Sequence, residues 1–461
     1  MIKRKNRILA GLVLAVVLAI TLGAVVCAPQ GVAEARESTF KDEGAQWEDG
    51  AFTEYSTGIY WYASGHDIPR RDNPIDKTKP TFIFTHGWKE NEGYRQRDLL
   101  SLWQNTNSEF RRYGDFEFEP NFYQTLIDLG YNVGQFYWSQ LSDDNVFCDA
   151  KIWTSKSSLG MRYFVNDGAG NRVRGDEALD PDKSVAMIFG DAIKQALGAD
   201  YDKDLHLAGH SMGGQLVLAT GEYLAKQFDK GEVGAHLVPT IVTLLDPYMT
   251  FNAIDENTPI DHLDGKTFDE QKPIVALCAD AMETLARHGV AIDSYATVFY
   301  RMYPLLMEEE EAAEMTDRLA RYCAWTYLLS FASSIDNPAS KHCMAIDYYF
   351  STLYEENIAK DNFGVEVPSA KASKEYLLTL AGKAWTQSLQ EDKSGENPFY
   401  MHNSAYTRTN AYYEPIELLP TKTVNVGLIV GLAVPFGTLI IASIILLVII
   451  RIKINKNRGK Q

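Results

Sequence analysis

The stretch Asp204-Leu-His-Leu-Ala-Gly-His-Ser-Met-Gly-Gly-Gln-Leu-Val-Leu-Ala-Thr-Gly-Glu-Tyr223 predicts a strand that turns directly into a helix. A short apolar run before its centre is typical of a buried strand, and apolar residues recur at helical spacing after it. At the apex lies Ser211, with Gly209 and Gly213 on either side. Glycine suits both positions, because such a turn brings the two backbones too close for a Cβ. The stretch therefore favours a nucleophile elbow over an ordinary glycine-rich loop.

Two further motifs stand at the ends of predicted strands. The apolar strand Thr81-Phe-Ile-Phe-Thr85 precedes the elbow and runs into His86-Gly-Trp88. We expect His86 to shape this loop rather than to take part in chemistry. The strand Val238-Pro-Thr-Ile-Val-Thr-Leu-Leu245 follows the elbow helix and runs into Asp246-Pro247. An acid at that strand end is placed to orient a histidine, although Asp-Pro also commonly begins a turn.

A histidine follows later in the chain, within Ser340-Lys-His-Cys-Met-Ala-Ile-Asp-Tyr-Tyr-Phe-Ser-Thr-Leu353. The order Ser211, Asp246, His342 is that of nucleophile, acid and base in hydrolases that have an elbow. Rival candidates exist for both partners of the serine, because other histidines are present and many such hydrolases place the acid later in the chain. The rivals are His262, His288 and His402 for the base and Asp293 for the acid.

Together these motifs resemble the α/β-hydrolase family, and its secreted, pancreatic-type lipase branch in particular, over roughly residues 80–353. The likeness to that branch rests on Leu-Leu-Asp-Pro around Asp246, and on the small residue and two aromatic residues that follow His342. In those lipases the histidine lies on a loop and the next residues begin a helix. Met344 departs from the pattern, because it stands where the lipases usually carry a basic residue.

The resemblance implies an α/β fold, with a mostly parallel sheet and helices on both faces, and the hydrolysis of carboxylic esters. It assigns Ser211 as the nucleophile, His342 as the base and Asp246 as the acid that orients the base. It also assigns an oxyanion hole to the main-chain N–H groups of Trp88 and Met212. The substrates implied are lipid acyl esters, and the resemblance implies no metal and no organic cofactor.

Both ends of the chain are hydrophobic. Basic residues precede an apolar run at 8–26, and Ala33-Glu-Ala35 offers a cleavage site. This pattern predicts a secretory signal peptide, with an uncleaved N-terminal anchor as the alternative. Residues 424–450 carry no charge over 27 positions, which is enough to span a hydrocarbon layer of about 30 Å. The basic tail 451–461 that follows is expected in the cytoplasm by the positive-inside rule.

The sequence therefore predicts five segments and a single-pass membrane protein whose catalytic domain lies outside the cytoplasm. The segments are a signal peptide or anchor at 1–35, an α/β-hydrolase domain at 36–356, an extension or stalk at 357–421, a transmembrane helix at 422–450 and a cytoplasmic tail at 451–461. For the extension, packing on the hydrolase domain and a separate stalk are both compatible with the sequence.

The net charge of the protein limits the kinds of partner that it is expected to bind. The net charge is −17; residues 1–35 carry three net positive charges and residues 422–461 carry six, so the segment between them carries −26. A segment this acidic is not expected to bind nucleic acid, nor to be drawn by charge onto an anionic lipid surface. The expected partners are an acyl-ester substrate and the membrane that holds the C-terminal helix.

Several other segments carry weaker expectations. The polar, glycine-rich stretch 142–182 is a long loop that could line the active site or be a plain surface insertion. Residues 290–299 are predicted as the last core strand, and residues 305–331 and 374–389 as helices. Four cysteines lie in the segment expected outside the cytoplasm, where disulfides can form, although buried free thiols are the simpler alternative; they are Cys148, Cys278, Cys323 and Cys343.

Two other classes of function remain open at this level. A non-catalytic adhesion or receptor ectodomain could use the same fold, although it would not need the serine, acid, histidine and oxyanion motifs. A serine hydrolase of different chemistry, such as a peptidase or an acyltransferase, would need all of them, because one fold hosts many substrates.

Overall fold

A computed structural model describes most of the residues between 53 and 410. The described residues are 53–89, 93, 122–144, 148–157, 160–175, 182–249, 258–268, 274–297, 315, 317–328, 338–355, 358–389 and 404–410. The chain divides into two units, residues 1–412 and residues 413–461, and every described residue belongs to the first.

A ten-stranded sheet forms the centre of the first unit, in the order β12-β11-β10-β9-β8-β7-β3-β4-β1-β2. The strands from β4 to β11 in this order are parallel to their neighbours, whereas β12, β1 and β2 pair antiparallel at the two edges. These strands are β1 (Gly58–Ala63), β2 (His66–Arg70), β3 (Thr81–Thr85), β4 (Asn132–Tyr137), β7 (Leu205–His210), β8 (Ile241–Leu245), β9 (Ala291–Ala296), β10 (Ala324–Tyr327), β11 (Lys383–Leu389) and β12 (Ser404–Asn410). A separate hairpin pairs β5 (Phe164–Asn166) with β6 (Arg172–Arg174).

The helices connect these strands. In chain order they are α1 (Phe122–Asp128), α2 (Ser139–Ser142), α3 (Ala150–Trp153), α4 (Val185–Leu197), α5 (Met212–Asp229), α6 (Ile274–Arg287), α7 (Pro338–Ser351) and α8 (Lys374–Leu380), with a short 3₁₀ turn at Ala235–Leu237. Ser184 caps α4 by accepting a hydrogen bond from the Met187 N–H, as expected for an N-cap serine.

Helices cover both faces of the sheet, because each strand sends alternate side chains to opposite sides. In β3, Ile83 belongs to one buried cluster, which also contains the apolar faces of α4, α5 and α6. Its neighbours Phe82 and Phe84 belong to a second cluster, with residues of α1, α7 and α8. The two clusters confirm the predicted mostly parallel sheet with helices on both faces, which is an α/β-hydrolase-like arrangement.

The structure corrects three of the weaker predictions. The strand at 290–299 is not the last of the core, because β10, β11 and β12 follow it in the same sheet. Within 305–331, residues 324–327 form a strand, and 374–389 divides into a helix and a strand. Short apolar runs suit both element types, and here pairing with a neighbouring strand decides between them. β11 and β12 lie within 357–421, so this part of the extension joins the sheet.

The predicted signal peptide and transmembrane helix lie outside the described residues. Within those residues, no helix has both the length and the apolar character that crossing a bilayer would require.

The four cysteines for which disulfides were considered are all described, and none is joined to another in a disulfide. Cys148, Cys278 and Cys323 are buried, as the alternative of buried thiols predicts.

Candidate active site

The strand ends at the centre of the sheet bring the sequence motifs together. Thr85 at the end of β3 pairs with Gly209 of β7, and His210 at the end of β7 pairs with Leu245 at the end of β8. In a parallel sheet these ends face the same edge. The residues that immediately follow the three strands are His86, Ser211 and Asp246, so the three motifs meet at one edge.

Ser211 occupies the apex of a tight turn between β7 and α5. Its backbone angles are φ 58° and ψ −126°, which are strained for a residue with a side chain. A Cβ built on Gly209 would lie only 2.1 Å from the Gly213 carbonyl oxygen, so glycine is required where the strand and helix meet. The Ser211 N–H donates to the Leu245 carbonyl at 3.0 Å, and the Tyr248 N–H donates to the Ser211 carbonyl at 3.0 Å. These bonds present the serine as a nucleophile elbow does.

The acid and the histidine are in direct contact. His342 Nδ1 lies 2.7 Å from Asp246 Oδ2, and the Asp246 side chain is fully buried. Because a carboxylate only accepts, this contact assigns the proton of a neutral His342 to Nδ1 and leaves Nε2 to act as a base. Thr297 supports the acid from its other side, with its N–H 2.9 Å from Oδ1 and its Oγ1 2.6 Å from Oδ2.

His210, the residue before Ser211, lies against His342. The two ring centroids are 4.3 Å apart, and His210 Nε2 lies 3.3 Å from the His342 carbonyl oxygen. Burial lowers the pKa of His210 well below its usual value, and the neighbouring His342 lowers it further. His210 is therefore neutral at physiological pH, and its Nε2–H donates to that carbonyl. The contact places His342 beside the residue that precedes the nucleophile.

The loop after β3 touches the serine. A Cβ built on Gly87 would lie 2.6 Å from Ser211 Cβ and 3.0 Å from its Oγ, so this backbone approaches the nucleophile more closely than a side chain would allow. Trp88 follows in the loop, and Met212 is the first residue of α5. Within the described part of the chain, neither of their N–H groups donates a hydrogen bond. These two N–H groups are the ones that the resemblance assigns to an oxyanion hole.

His86 is held as a structural residue, in agreement with its expected role. Its Nδ1 lies 2.8 Å from the Gly87 carbonyl and its Nε2 lies 3.0 Å from Ser139 Oγ, so both ring nitrogens are engaged. The ring also stacks on Trp138, whose indole N–H donates to the His86 carbonyl at 2.9 Å. These contacts fix the start of the loop that carries Gly87.

The rival candidates have other partners. Asp293 accepts a hydrogen bond from Thr243 Oγ1 at 2.6 Å. His262 lies 3.2 Å from Glu222, and His288 lies 2.9 Å from Asp229, whereas His402 lies outside the described residues. The structure therefore brings Asp246, rather than Asp293, to His342.

No group of three or more His, Cys, Asp or Glu side chains among the described residues is arranged to hold a metal ion.

Burial raises the pKa of Asp293 from 3.8 to about 7, and this predicts a pH-dependent effect of Asp293→Asn. Between these values the folded protein keeps the proton that the unfolded chain loses, so the wild type loses stability as pH rises through the window. The asparagine variant lacks this loss. Its stability relative to wild type should therefore rise between about pH 4 and pH 7, as measured by urea unfolding at several pH values. A difference that does not change with pH would contradict the raised pKa.

His342 lies on a helix and not on a loop, in contrast to the lipase pattern. α7 begins at Pro338, a residue that suits the first turn of a helix, and includes His342. Met344 is fully buried in the second apolar cluster. A basic residue at that position would be buried without water, which is costly. The burial of this position thus explains why an apolar residue stands there.

Sequence reasoning missed two residues that touch this site, Thr297 and His210. Thr297 directly follows β9, and β9 pairs with β8, whose end carries Asp246. The order of the strands in the sheet places Thr297 next to Asp246, but a single sequence does not reveal that order. His210 lies inside the elbow motif, and only the packing of α7 shows that it contacts His342.

Thr297→Val is expected to lower kcat by about 10- to 100-fold, because a hydrogen bond to a charged group contributes roughly 1.5–3 kcal/mol. The variant loses the Oγ1 bond to Asp246 and keeps the bond from the main chain. Thr297→Ser, which restores the hydroxyl, should recover most of the activity. Steady-state kinetics of all three proteins test this expectation, and equal activity of the valine and serine variants would show that the hydroxyl does not matter.

Comparison with known proteins adds only a general likeness. No family model and no curated protein matches the chain. Among solved structures, it is similar to Est1E from Butyrivibrio proteoclasticus with bound ferulic acid, at 14% identity over 65% of this chain and 93% of that one, with a TM-score of 0.29. It is also similar to esterase B from Lactobacillus rhamnosis, at 13% identity over 71% and 96%, with a TM-score of 0.26. Acyl-protein thioesterase 2 from Zea mays matches at 10% identity over 63% and 97%, with a TM-score of 0.25. These values are too low to add to what the strand order and the site geometry show.

Proposed function

We propose that this protein is a serine hydrolase that cleaves carboxylic esters, with Ser211 as the nucleophile, His342 as the base and Asp246 as the acid. The observation that supports this most is the 2.7 Å contact between His342 Nδ1 and Asp246 Oδ2. This contact lies at the sheet edge where Ser211 stands in a strained turn. A protein that only binds a partner has no use for this arrangement.

The proposed mechanism gives each of these residues one role. His342 Nε2 takes the proton of Ser211 Oγ as the oxygen attacks the ester carbonyl carbon. The carbonyl oxygen becomes an oxyanion and accepts hydrogen bonds from the N–H groups of Trp88 and Met212. Asp246 stabilises the imidazolium through Nδ1.

The tetrahedral intermediate then collapses. His342 gives its proton to the departing alkoxide, the alcohol leaves, and an acyl group remains on Ser211 Oγ. His342 next takes a proton from water as the water oxygen attacks the acyl carbon. The second tetrahedral intermediate then breaks its bond to Ser211 Oγ, His342 returns the proton to that oxygen, and the carboxylic acid leaves. One ester and one water thus give one acid and one alcohol.

We further propose that the substrates are lipid acyl esters and that the enzyme works on the outer side of a membrane. The first point rests on the resemblance of the Asp246 and His342 segments to secreted lipases. The second rests on the apolar run 424–450 and on the basic residues after it. A tether of this kind would keep a strongly acidic domain near lipid that its charge does not attract.

Covalent labelling of the full-length protein tests the proposal. A fluorophosphonate probe should label the protein, and peptide mapping should locate the label on Ser211. A panel of acyl esters of different chain length, amides and acyl acceptors should then show ester hydrolysis. A folded protein without label would favour a non-catalytic ectodomain. Faster cleavage of amides would indicate a peptidase, and faster transfer to an acceptor than to water would indicate an acyltransferase.

A further inference from the structure

The loop that carries Trp88 rests on the segment that follows β4. The Trp88 indole N–H donates to the Asp144 carbonyl at 2.8 Å, and the Lys89 N–H donates to the Ser142 carbonyl at 3.2 Å. A Cβ built on Gly93 would lie 2.0 Å from the Ser139 carbonyl oxygen. The two segments are therefore in close backbone contact.

Asp144 itself is held by two cations. Its fully buried carboxylate lies 2.9 Å from Lys151 Nζ, and Arg162 Nε and Nη2 each lie 2.5 Å from one of its oxygens. Lys151 is also fully buried and donates to the Leu141 carbonyl at 3.1 Å. Burial lowers the pKa of Lys151, whereas the hydrogen bond to Asp144 raises the pKa of Arg162. These contacts, and the burial of the carboxylate away from solvent, restrict the positions that the Asp144 side chain can take.

We propose that Asp144 is a positioning residue for the oxyanion hole, an inference that rests on the proposed function. The buried ion cluster fixes the Asp144 backbone, and the Asp144 carbonyl fixes the Trp88 indole. The indole in turn fixes the main-chain N–H of Trp88, which follows Gly87 in the loop that approaches Ser211. Oxyanion donors are effective only when they are already in place as charge develops. Part of the long segment 142–182 would thus contribute to catalysis by positioning the loop that carries Trp88, without contacting the substrate.

The test compares two variants of the full-length protein that break this connection at different ends. Asp144→Asn removes the charge that Lys151 and Arg162 hold. Trp88→Phe removes the indole N–H and leaves both the main-chain N–H and the ion cluster in place. Each variant should lower kcat by about 10- to 100-fold, with KM changed less than threefold. This is less than the effect of removing an oxyanion donor outright, which is about 10²- to 10³-fold.

Two further measurements separate positioning from general structural support. Rates are expressed per active site titrated with a fluorophosphonate, so unfolded protein does not count. Affinity for an alkyl boronic acid, which forms a tetrahedral adduct with the serine, should fall by the same factor as kcat. The double variant should be no slower than the slower single variant, because both changes break one connection.

Asp143→Asn is the matched control. Asp143 is also buried and lies 3.2 Å from its own arginine, Arg172, but no contact between its carboxylate and Trp88 is present among the described residues. This variant should lower the melting temperature and leave kcat per site within threefold of wild type.

Three results would overturn the inference: unchanged kcat per site in Asp144→Asn, multiplied losses in the double variant, or an equal loss in Asp143→Asn. If Asp144→Asn does not fold, Trp88→Phe alone decides, because its ion cluster is intact and the same losses in kcat and boronic acid affinity are expected. A wild type that fluorophosphonate does not label would refute the proposed function itself. A labelled, active wild type with an unaffected Trp88→Phe would refute only the role of Asp144.

Discussion

Ser211→Ala is expected to lower ester turnover by about 10⁴-fold or more and to leave the fold intact, as triad knockouts do. The substitution removes one hydroxyl from a half-buried residue. The backbone bonds that hold the turn, from Ser211 N–H to Leu245 and from Tyr248 N–H to Ser211, do not involve the side chain. Ester turnover and thermal unfolding of the purified variant check both parts of the expectation.

Ser211→Gly provides a matched control for the backbone strain at this position. At φ 58° and ψ −126°, strain of this kind costs on the order of 1–3 kcal/mol in a residue that has a Cβ. Glycine relieves much of it. The glycine variant should therefore be as inactive as the alanine variant and melt at a higher temperature. An alanine variant that unfolds would leave the nucleophile unsupported, and one that retains turnover would assign the chemistry to another residue.

Asp246→Asn is expected to lower turnover by about 10⁴-fold, with little change in KM. An asparagine amide at this position would donate to His342 Nδ1, or would fail to hold the Nδ1 proton, and either outcome favours the wrong tautomer. Steady-state kinetics with a soluble ester provide the measurement. Thermal unfolding should accompany them, because Asp246 also accepts two hydrogen bonds from Thr297.

Asp293→Asn is the control for this substitution. Asp293 lies on the neighbouring strand and is as deeply buried as Asp246. It accepts a hydrogen bond from Thr243, and within the described part of the chain it makes no hydrogen bond with His342. Burial raises its pKa to about 7, so a substantial fraction of Asp293 is already protonated and uncharged at pH 7, like the amide that replaces it. Turnover should stay within tenfold of wild type. The reverse ranking of the two variants would move the acid to the later strand.

The sequence alone predicted the elements whose signals are local. Each of these signals lies within a few neighbouring positions: the glycines around Ser211, and the apolar strands at 81–85 and 238–245 with the polar residue that follows each strand. Local propensity and spacing are enough for such features, since the interactions that decide them are between near neighbours. The mostly parallel sheet was expected from the resemblance that these motifs carry.

Only the tertiary structure decided which of these residues meet. The sheet order places β8 between β7 and β9, so Asp246 reaches His342 while Thr297 at the end of β9 supports the acid. The packing of α7 places His342 on a helix, against His210. These contacts join residues far apart in the chain, and their partners depend on strand register and helix packing, which local propensity does not encode. The sequence by itself thus determined the motifs, and the sheet determined the site that they form.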